Sequence, residues 1–385
     1  MNVNYNESQR NRGEARWSVD RGVNVMVVGC GALGNEVLKN LTLMGVQHIV
    51  AVDFDHVEIG NLTRSVLFRK TDALEGRYKT DVIEERLLEL NANLDIKTIR
   101  GDVAYDVGLG LIRRMDVVIG CVDSQWARFC INRLCMRAGV PWVDGGINEL
   151  EGTVRVFVPG VNCYACNLGP EGLKDLKRRA PCMGFIRRHE EAGTAPTTSL
   201  IASIIGAVQV QEALKLLQRD ALNDGSLESL CGKMFYYEGE HLTTRLVDFQ
   251  AWDDDCVEHE CWEPVEHTEV HREMSVGESL QVLYKELKAQ DVEICLRNDC
   301  FVDFVSERAT DQQWEVMLPG RAVESFVEQH ERLSGIPLSG LYQHEYRRID
   351  SGFPYQGLTL AALGIPEQDV LCVIVDGKDR YVEMK

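Results

Sequence analysis

The sequence predicts a doubly wound, parallel α/β domain followed by a smaller α+β domain. Three observations carry that expectation. Apolar, β-rich runs alternate with helix-length segments; a glycine-rich turn joins the first such run to the first helix; and the composition changes after Cys261. At 385 residues there is room for one large and one smaller domain, and 45% hydrophobic with 26% charged residues is ordinary for a packed core.

The first 20 residues are polar and read as a poorly ordered arm. Residues 23–28, Val-Asn-Val-Met-Val-Val, form an apolar run suited to a strand covered on both faces. The glycine turn follows, then a helix to residue 44 and a strand over 48–53. A helix fits 79–90, with a strand at 94–99. A strand at 116–121 leads into a helix over 124–137, and 141–144 starts the next strand. Strands and helices alternating at this spacing build a parallel sheet. From 151 to 158 the pattern becomes period two, as for antiparallel strands added at one edge, and 242–249 alternates likewise. Residues 169–195 read as a polar, charged crossover. A long apolar helix over 197–217 returns to the core through Leu200, Ile201, Ile204, Ile205, Val208 and Leu214. Residues 262–270 are acidic and loop-like, as in a linker, leaving 273–385 for the second domain.

The net charge of −19 disfavours nucleic acid and anionic lipid and favours a partner with a basic face. With no apolar run of bilayer length and no signal peptide, the expectation is a cytoplasmic protein without a membrane role. There, thirteen cysteines point to metal binding or catalysis rather than disulfides.

Gly29-Cys30-Gly31-Ala32-Leu33-Gly34 is a GxGxxG between strand and helix, where backbone N–H groups can approach phosphate. Asp53 ends the next strand, where a ribose hydroxyl needs an acceptor. On these residues alone a dinucleotide and ATP fit equally. The segment that follows runs Asp53-Phe54-Asp55-His56-Val57-Glu58, then Asn61-Leu62-Thr63-Arg64, then Lys79, Asp123 and Arg128. Over residues 20–265 the chain thereby resembles the E1, ThiF and MoeB superfamily of activating enzymes.

That resemblance implies a Rossmann-like adenylation domain that binds ATP and Mg²⁺ and activates a ubiquitin-like protein at its C-terminal glycine. It gives Gly29, Gly31, Gly34 and Asp55 to the nucleotide site, Asp53 to the ribose and Asn61 to a phosphate. Arg64 and Lys79 become the cations that neutralise phosphate charge, and Asp123 the Mg²⁺ ligand. Two features depart from the family. Ser65 stands where glutamine is usual, and the arginine that reaches into the partner protomer has only Arg10, Arg12 and Arg16 as candidates. The family is usually dimeric, so a homodimer is expected.

Cys163-Tyr164-Ala165-Cys166 and the later pair Cys256 and Cys261 stand where many family members hold one structural Zn²⁺. The second pair is spaced Cx₄C, so His259 is an alternative to Cys261 as fourth ligand. Cys30 and Cys121 read as packing residues beside the nucleotide. Cys182 lies among Arg178, Arg179, Arg187 and Arg188, a basic setting that favours the thiolate. The resemblance makes it the thioester-forming cysteine, since E1 enzymes carry theirs on this crossover. The stretch Ala195-Pro196-Thr197-Thr198 resembles the segment after that cysteine in some E1s, which implies an insertion here.

Residues 357–366 followed by 369–375 read as a short helix, a turn and a closing strand. They are similar to the end of the ubiquitin-fold domain of E1 enzymes, which implies an E2-like conjugating enzyme docking on 273–385. The reading is therefore an E1 that adenylates its partner, captures it on Cys182 and passes it to an E2. A sulfur-carrier adenylyltransferase without a thioester, a non-catalytic scaffold subunit and, more remotely, a nicotinamide oxidoreductase are the alternatives. The compact layout resembles E1-like proteins of bacterial ubiquitin-like conjugation operons, and by that analogy a role in antiviral defence.

Overall fold

A computed structural model describes residues 22–178, 197–249, 251–297, 299–307, 310, 312–335 and 341–385. Arg10, Arg12, Arg16 and Cys182 lie outside the described residues. The chain forms two compact units. The described part of one comprises residues 22–103, 112–173 and 197–261; the other comprises 104–111, 174–178 and 262 onward.

The first unit is built on an eight-stranded sheet. Helices of six residues or more carry labels here. In chain order the elements are β1 Asn24–Val28, α1 Ala32–Met44, β2 His48–Val52, α2 Lys70–Glu75, α3 Lys79–Leu90, β3 Asp95–Ile99, β4 Val117–Gly120, α4 Gln125–Ala138, β5 Trp142–Asn148, β6 Glu151–Phe157, α5 Tyr164–Arg178, α6 Ser199–Leu217, β7 Lys233–Glu238 and β8 Thr243–Asp248. The strand order is β3-β2-β1-β4-β5-β6-β7-β8. The first five strands are parallel, and β6, β7 and β8 add antiparallel. Val25, Met26 and Val27 on β1 are fully buried, so this strand reads as a continuous apolar run. Strand β1 lies between β2 and β4, and the winding reverses there. The carboxyl ends of these three strands therefore border the crevice where open α/β sheets bind ligands.

Helix α6 is the long apolar helix expected from the sequence. Thr198 caps it by accepting the Ile201 N–H at 3.3 Å. Its buried stripe runs through Ile201, Ala202, Ile205, Gln209, Val210 and Ala213. Leu200, expected in the core, is instead 67% exposed, because it shares the opposite edge with exposed Ser203, Ala207 and Gln211 at helical spacing. By length and composition α6 is long and apolar enough to cross a bilayer, contrary to expectation, but more than half of it is buried within the protein.

Helix α5 continues the chain as far as Arg178, into the segment read as a polar crossover, and is broken at Gly169 (φ 68°) with Pro170 beginning its second part. Strand β7 was not expected from the sequence. Its Met-Phe-Tyr-Tyr run has no alternation and is half-buried on both faces, with Phe235 and Tyr237 packed against the core.

The second unit holds β9 Val265–His267, α7 Val276–Leu287, β10 Val292–Cys295, β11 Phe301–Glu307, β12 Gln313–Pro319, α8 Gly320–Ser334, β13 Leu341–Tyr346, β14 Arg348–Ile349, β15 Val370–Val375 and β16 Lys378–Glu383. One sheet has the order β14-β10-β15-β16-β9 and the other β12-β11-β13. Val276, Leu280 and Leu283 of α7 form a core with Val292, Ile294, Val373 and Val382. A complete capping box at Ser275 and Glu278 begins α7. Three expectations change here. Residues 265–267, read as linker, form β9 beside β16, too short a strand to give a periodic signal. Residues 357–366 make turns rather than a helix: Ile365 N–H closes on Leu360 O at 3.1 Å after Gly364 takes φ +83°. Strand β15 is also not the closing strand, since Asp376 and Gly377, both at positive φ, turn the chain into β16.

Candidate functional site

The turn after β1 uses its three motif glycines differently. Gly29 takes φ +94°, donates its N–H to Val52 O at 2.8 Å, and has room for no Cβ, which would lie 2.5 Å from Cys121 O. A Cβ on Gly34 would lie 1.9 Å from Gly29 O. At Gly31 a Cβ would meet open space, so its hydrogen leaves the backbone accessible. Gly31 is also the N-cap of α1, with no side-chain cap and no acidic residue in the first turn. The positive end of α1 is thus offered to an anion.

Asp53, at the end of β2, braces this turn. Its Oδ2 accepts the Cys30 N–H at 2.7 Å and its Oδ1 the Asp55 N–H at 2.8 Å. Lys79 Nζ stands 3.9 Å from Asp53 Oδ2 and donates to Asp55 Oδ2 at 2.7 Å. Residues 55–57 pair with 77–79 through Lys79 N–H to Asp55 O and Val57 N–H to Arg77 O, so Lys79 is delivered at the first position of α3. Burial pushes the Asp53 carboxyl up, against the pull of Lys79 and the two N–H groups. Burial would lower Lys79, but Asp53 and Asp55 outweigh it and the amine stays above its ordinary range. The lysine is therefore a buried cation already faced by carboxylates.

Asn61 is buried in a 3-10 helix, Ile59–Thr63, where its Oδ1 accepts the Glu58 N–H at 2.9 Å. Arg64 follows as the C-cap of that helix and has no ion pair among the described residues. Asn35, which the sequence reading missed, ties this segment to the turn. Fully buried in α1, it donates to Cys30 O (2.8 Å) and Gly31 O (3.0 Å) and accepts the Leu67 N–H at 2.9 Å. A polar residue on the buried side of the first helical turn was its available signal.

At the end of β4 the chain presents Asp123, exposed, just before the Ser124 N-cap of α4. Arg128 holds this loop by donating to Val122 O at 2.7 Å and Asp123 O at 3.3 Å, while its Nε donates to Asp144 at 2.9 Å. Asp144 is fully buried and also pairs with Arg155. Arg128 thus positions the Asp123 loop from below. Gln209 of α6 joins the same floor, donating to Gly120 O at 2.9 Å. Burial raises the thiols of Cys30 and Cys121, the second also opposed by Asp144, which keeps both neutral beside the turn.

Elsewhere in this unit the donor atoms of Cys163, Cys166, Cys256 and His259 all lie within 4.8 Å of one another. Cys166 Sγ is 3.5 Å from His259 Nδ1, and Trp252 stacks on the imidazole at 3.8 Å. Three soft thiols and an imidazole suit a tetrahedral Zn²⁺ site. Cys261 is not in the group. A 3-10 helix, Val257–His259, turns His259 back toward Cys256, whereas Cys261 lies beyond it, exposed, with its Sγ 3.6 Å from Arg137 O. His259 therefore replaces Cys261 as the fourth donor.

The fold and this crevice define an E1-like, ATP-dependent adenylyltransferase. The chain belongs to the ThiF family, whose model matches residues 13–258. It is similar to the SAMP-activating enzyme E1 of Haloferax volcanii, at 30% identity over 232 residues covering 60% of this chain and 78% of that protein. It is also similar to the Adenylyltransferase and sulfurtransferase MOCS3 of Culex quinquefasciatus, at 29% identity, covering 60% of this chain; the chain spans 49% of that relative's length. Among solved structures, the crystal structure of E. coli MccB shares the fold with a TM-score of 0.51 at 21% identity, covering 70% of this chain and 76% of that one.

Proposed function

We propose that this protein uses ATP to adenylate the C-terminal glycine of a small ubiquitin-like protein. One observation carries the reading: the ends of adjacent strands β1, β2 and β4 bring together an open phosphate turn at Gly31, the buried cation Lys79 and the exposed carboxylate Asp123. The partner's carboxylate oxygen attacks the α-phosphorus of ATP, forming an acyl–adenylate and expelling pyrophosphate. Lys79, exchanging Asp55 for phosphate, and Arg64 neutralise the growing charge. Asp53 receives the ribose, and Asn61 contacts phosphate. Asp123 offers a hard oxygen to Mg²⁺, which when bound spreads the charge on the phosphates. ATP–pyrophosphate exchange, driven by the ubiquitin-like protein, tests this. The exchange is expected to vanish in Asp123→Ala, and normal exchange in that variant would sink the assignment.

The likeness to a SAMP-activating E1 supports going further. The Cys182 thiolate, outside the described residues, attacks the acyl–adenylate carbonyl, forms a thioester and releases AMP. An E2-like enzyme docked on 273–385 then accepts the acyl group. Exposed Phe54, Ile59 and Val66 support pairing with a second copy as a homodimer. Cys163, Cys166, Cys256 and His259 hold a structural Zn²⁺. The likeness to a combined adenylyltransferase and sulfurtransferase favours a second reading, adenylation of a sulfur carrier without a thioester. A non-reducing gel separates the two. A thiol-sensitive adduct that disappears in Cys182→Ala supports the E1 reading, while pyrophosphate release with no adduct supports the second.

A further inference from the structure

Two cysteines of the second unit face each other outside the zinc cluster and the nucleotide crevice. In the antiparallel pair of β10 and β15, Cys295 stands directly opposite Cys372. Facing residues of antiparallel strands have Cα atoms about 4.5 to 5.5 Å apart, within the roughly 4.4 to 6.8 Å that a disulfide spans. Facing side chains also share one side of the sheet. Their neighbours Ile294 and Val373 are fully buried on the core side, so both cysteines lie on the outer face, where they are half-buried. Both are reduced, and the two thiols share a hydrogen bond.

The row continues on that face with Arg348 opposite Cys295 and Tyr381 opposite Cys372. Arg348 is therefore next to the Cys295 sulfur, with Glu293 and Asp379 acting against it. The hydrogen bond from Cys372 is the largest influence and, with Arg348, holds the Cys295 thiol below its ordinary range despite partial burial. The zinc-type cysteines Cys163 and Cys166 are shifted the other way by burial.

We propose that Cys295 and Cys372 form a reactive dithiol that low-molecular-weight disulfides, such as glutathione disulfide, convert into a cross-strand disulfide. The Cys295 thiolate attacks one sulfur of the reagent, forming a mixed disulfide and releasing one glutathione thiolate. Cys372, on losing its proton, attacks the Cys295 sulfur and expels the second glutathione. Two protein thiols are oxidised to one disulfide, one glutathione disulfide is reduced to two glutathiones, and the two protons pass to the released thiolates.

The test uses the purified full chain equilibrated over a range of glutathione disulfide to glutathione ratios. Free thiols are then blocked with N-ethylmaleimide and peptides read by mass spectrometry. The expected product links the Cys295 peptide to the Cys372 peptide, with no glutathione retained. If both residues carry maleimide at a ratio where other cysteines have oxidised, the proposal is wrong. In Cys372→Ser the resolving thiol is gone, so glutathione should stay on Cys295 and rise from near none to near one per chain. Equal retention on wild type and variant would also overturn it. Mapping of the wild-type cross-link decides the matter even if the variant misfolds.

Discussion

The nucleotide turn and the cysteine cluster belong to the same unit but are organised by opposite means. At the turn, the protein already satisfies its own polar groups: Asp53 accepts two backbone N–H groups, and Asn35 joins three backbone partners. The groups left outward are those a ligand needs, namely the Gly31 backbone, Arg64 and Asp123. In the cluster, three thiols and an imidazole converge on one another, and burial raises Cys163 and Cys166 while lowering His259. Such a donor set suits a shared cation. The turn is preorganised by hydrogen bonds, whereas the cluster gathers four metal-type donors within 4.8 Å of one another.

The sharpest way to break this comparison is at the charged edge of the turn. Lys79→Ala should lower ATP–pyrophosphate exchange by about 10²- to 10³-fold, the usual cost of losing one preorganised contact to developing charge. A loss below tenfold would mean Lys79 serves the fold rather than the reaction. Next in size are the glycines. Gly34→Ala forces a Cβ to within 1.9 Å of backbone and should cost about 3 kcal/mol or more, read by denaturant unfolding. Gly31→Ala meets open space and should leave stability within about 0.5 kcal/mol while weakening ATP binding. Equal effects from the two would contradict the division of labour at the turn.

The cluster is probed by metal content. His259→Ala should lose its zinc and melt about 5 °C lower, on the scale of ~2 kcal/mol for a domain of this size, whereas Cys261→Ser should keep both zinc and melting temperature. The reverse pattern would restore Cys261 as the ligand. The smallest effect concerns pH. Lys79 is held above its ordinary 10.5 by Asp53 and Asp55 against burial. A group raised on folding contributes stability that is fully present below its unfolded value and lost as pH rises through the folded one. The melting gap between wild type and Lys79→Gln should therefore stay constant to about pH 10 and shrink above it. A gap that widens there would argue against the ion pair.

Local sequence determined a good deal of this protein by itself. The strand–turn–helix at Gly29, the acidic run from Asp53 to Glu58 and the alternation of the first five strands with helices were legible because each depends on neighbours within a few residues. So was the first cysteine knuckle. Tertiary structure decided what depended on pairing across long stretches of chain. Asn35 matters because Leu67 folds over it, Arg128 because buried Asp144 lies beneath it, and Leu200 is exposed because the buried stripe of α6 passes beside it. His259 displaces Cys261 because a short 3-10 helix turns one donor inward and leaves the other outside. Cys295 and Cys372 meet only through strand register, which no spacing in the sequence encodes. Spacing specifies chemistry where one turn or one helix carries it; where two distant segments must meet, the packing of the core chooses the partners.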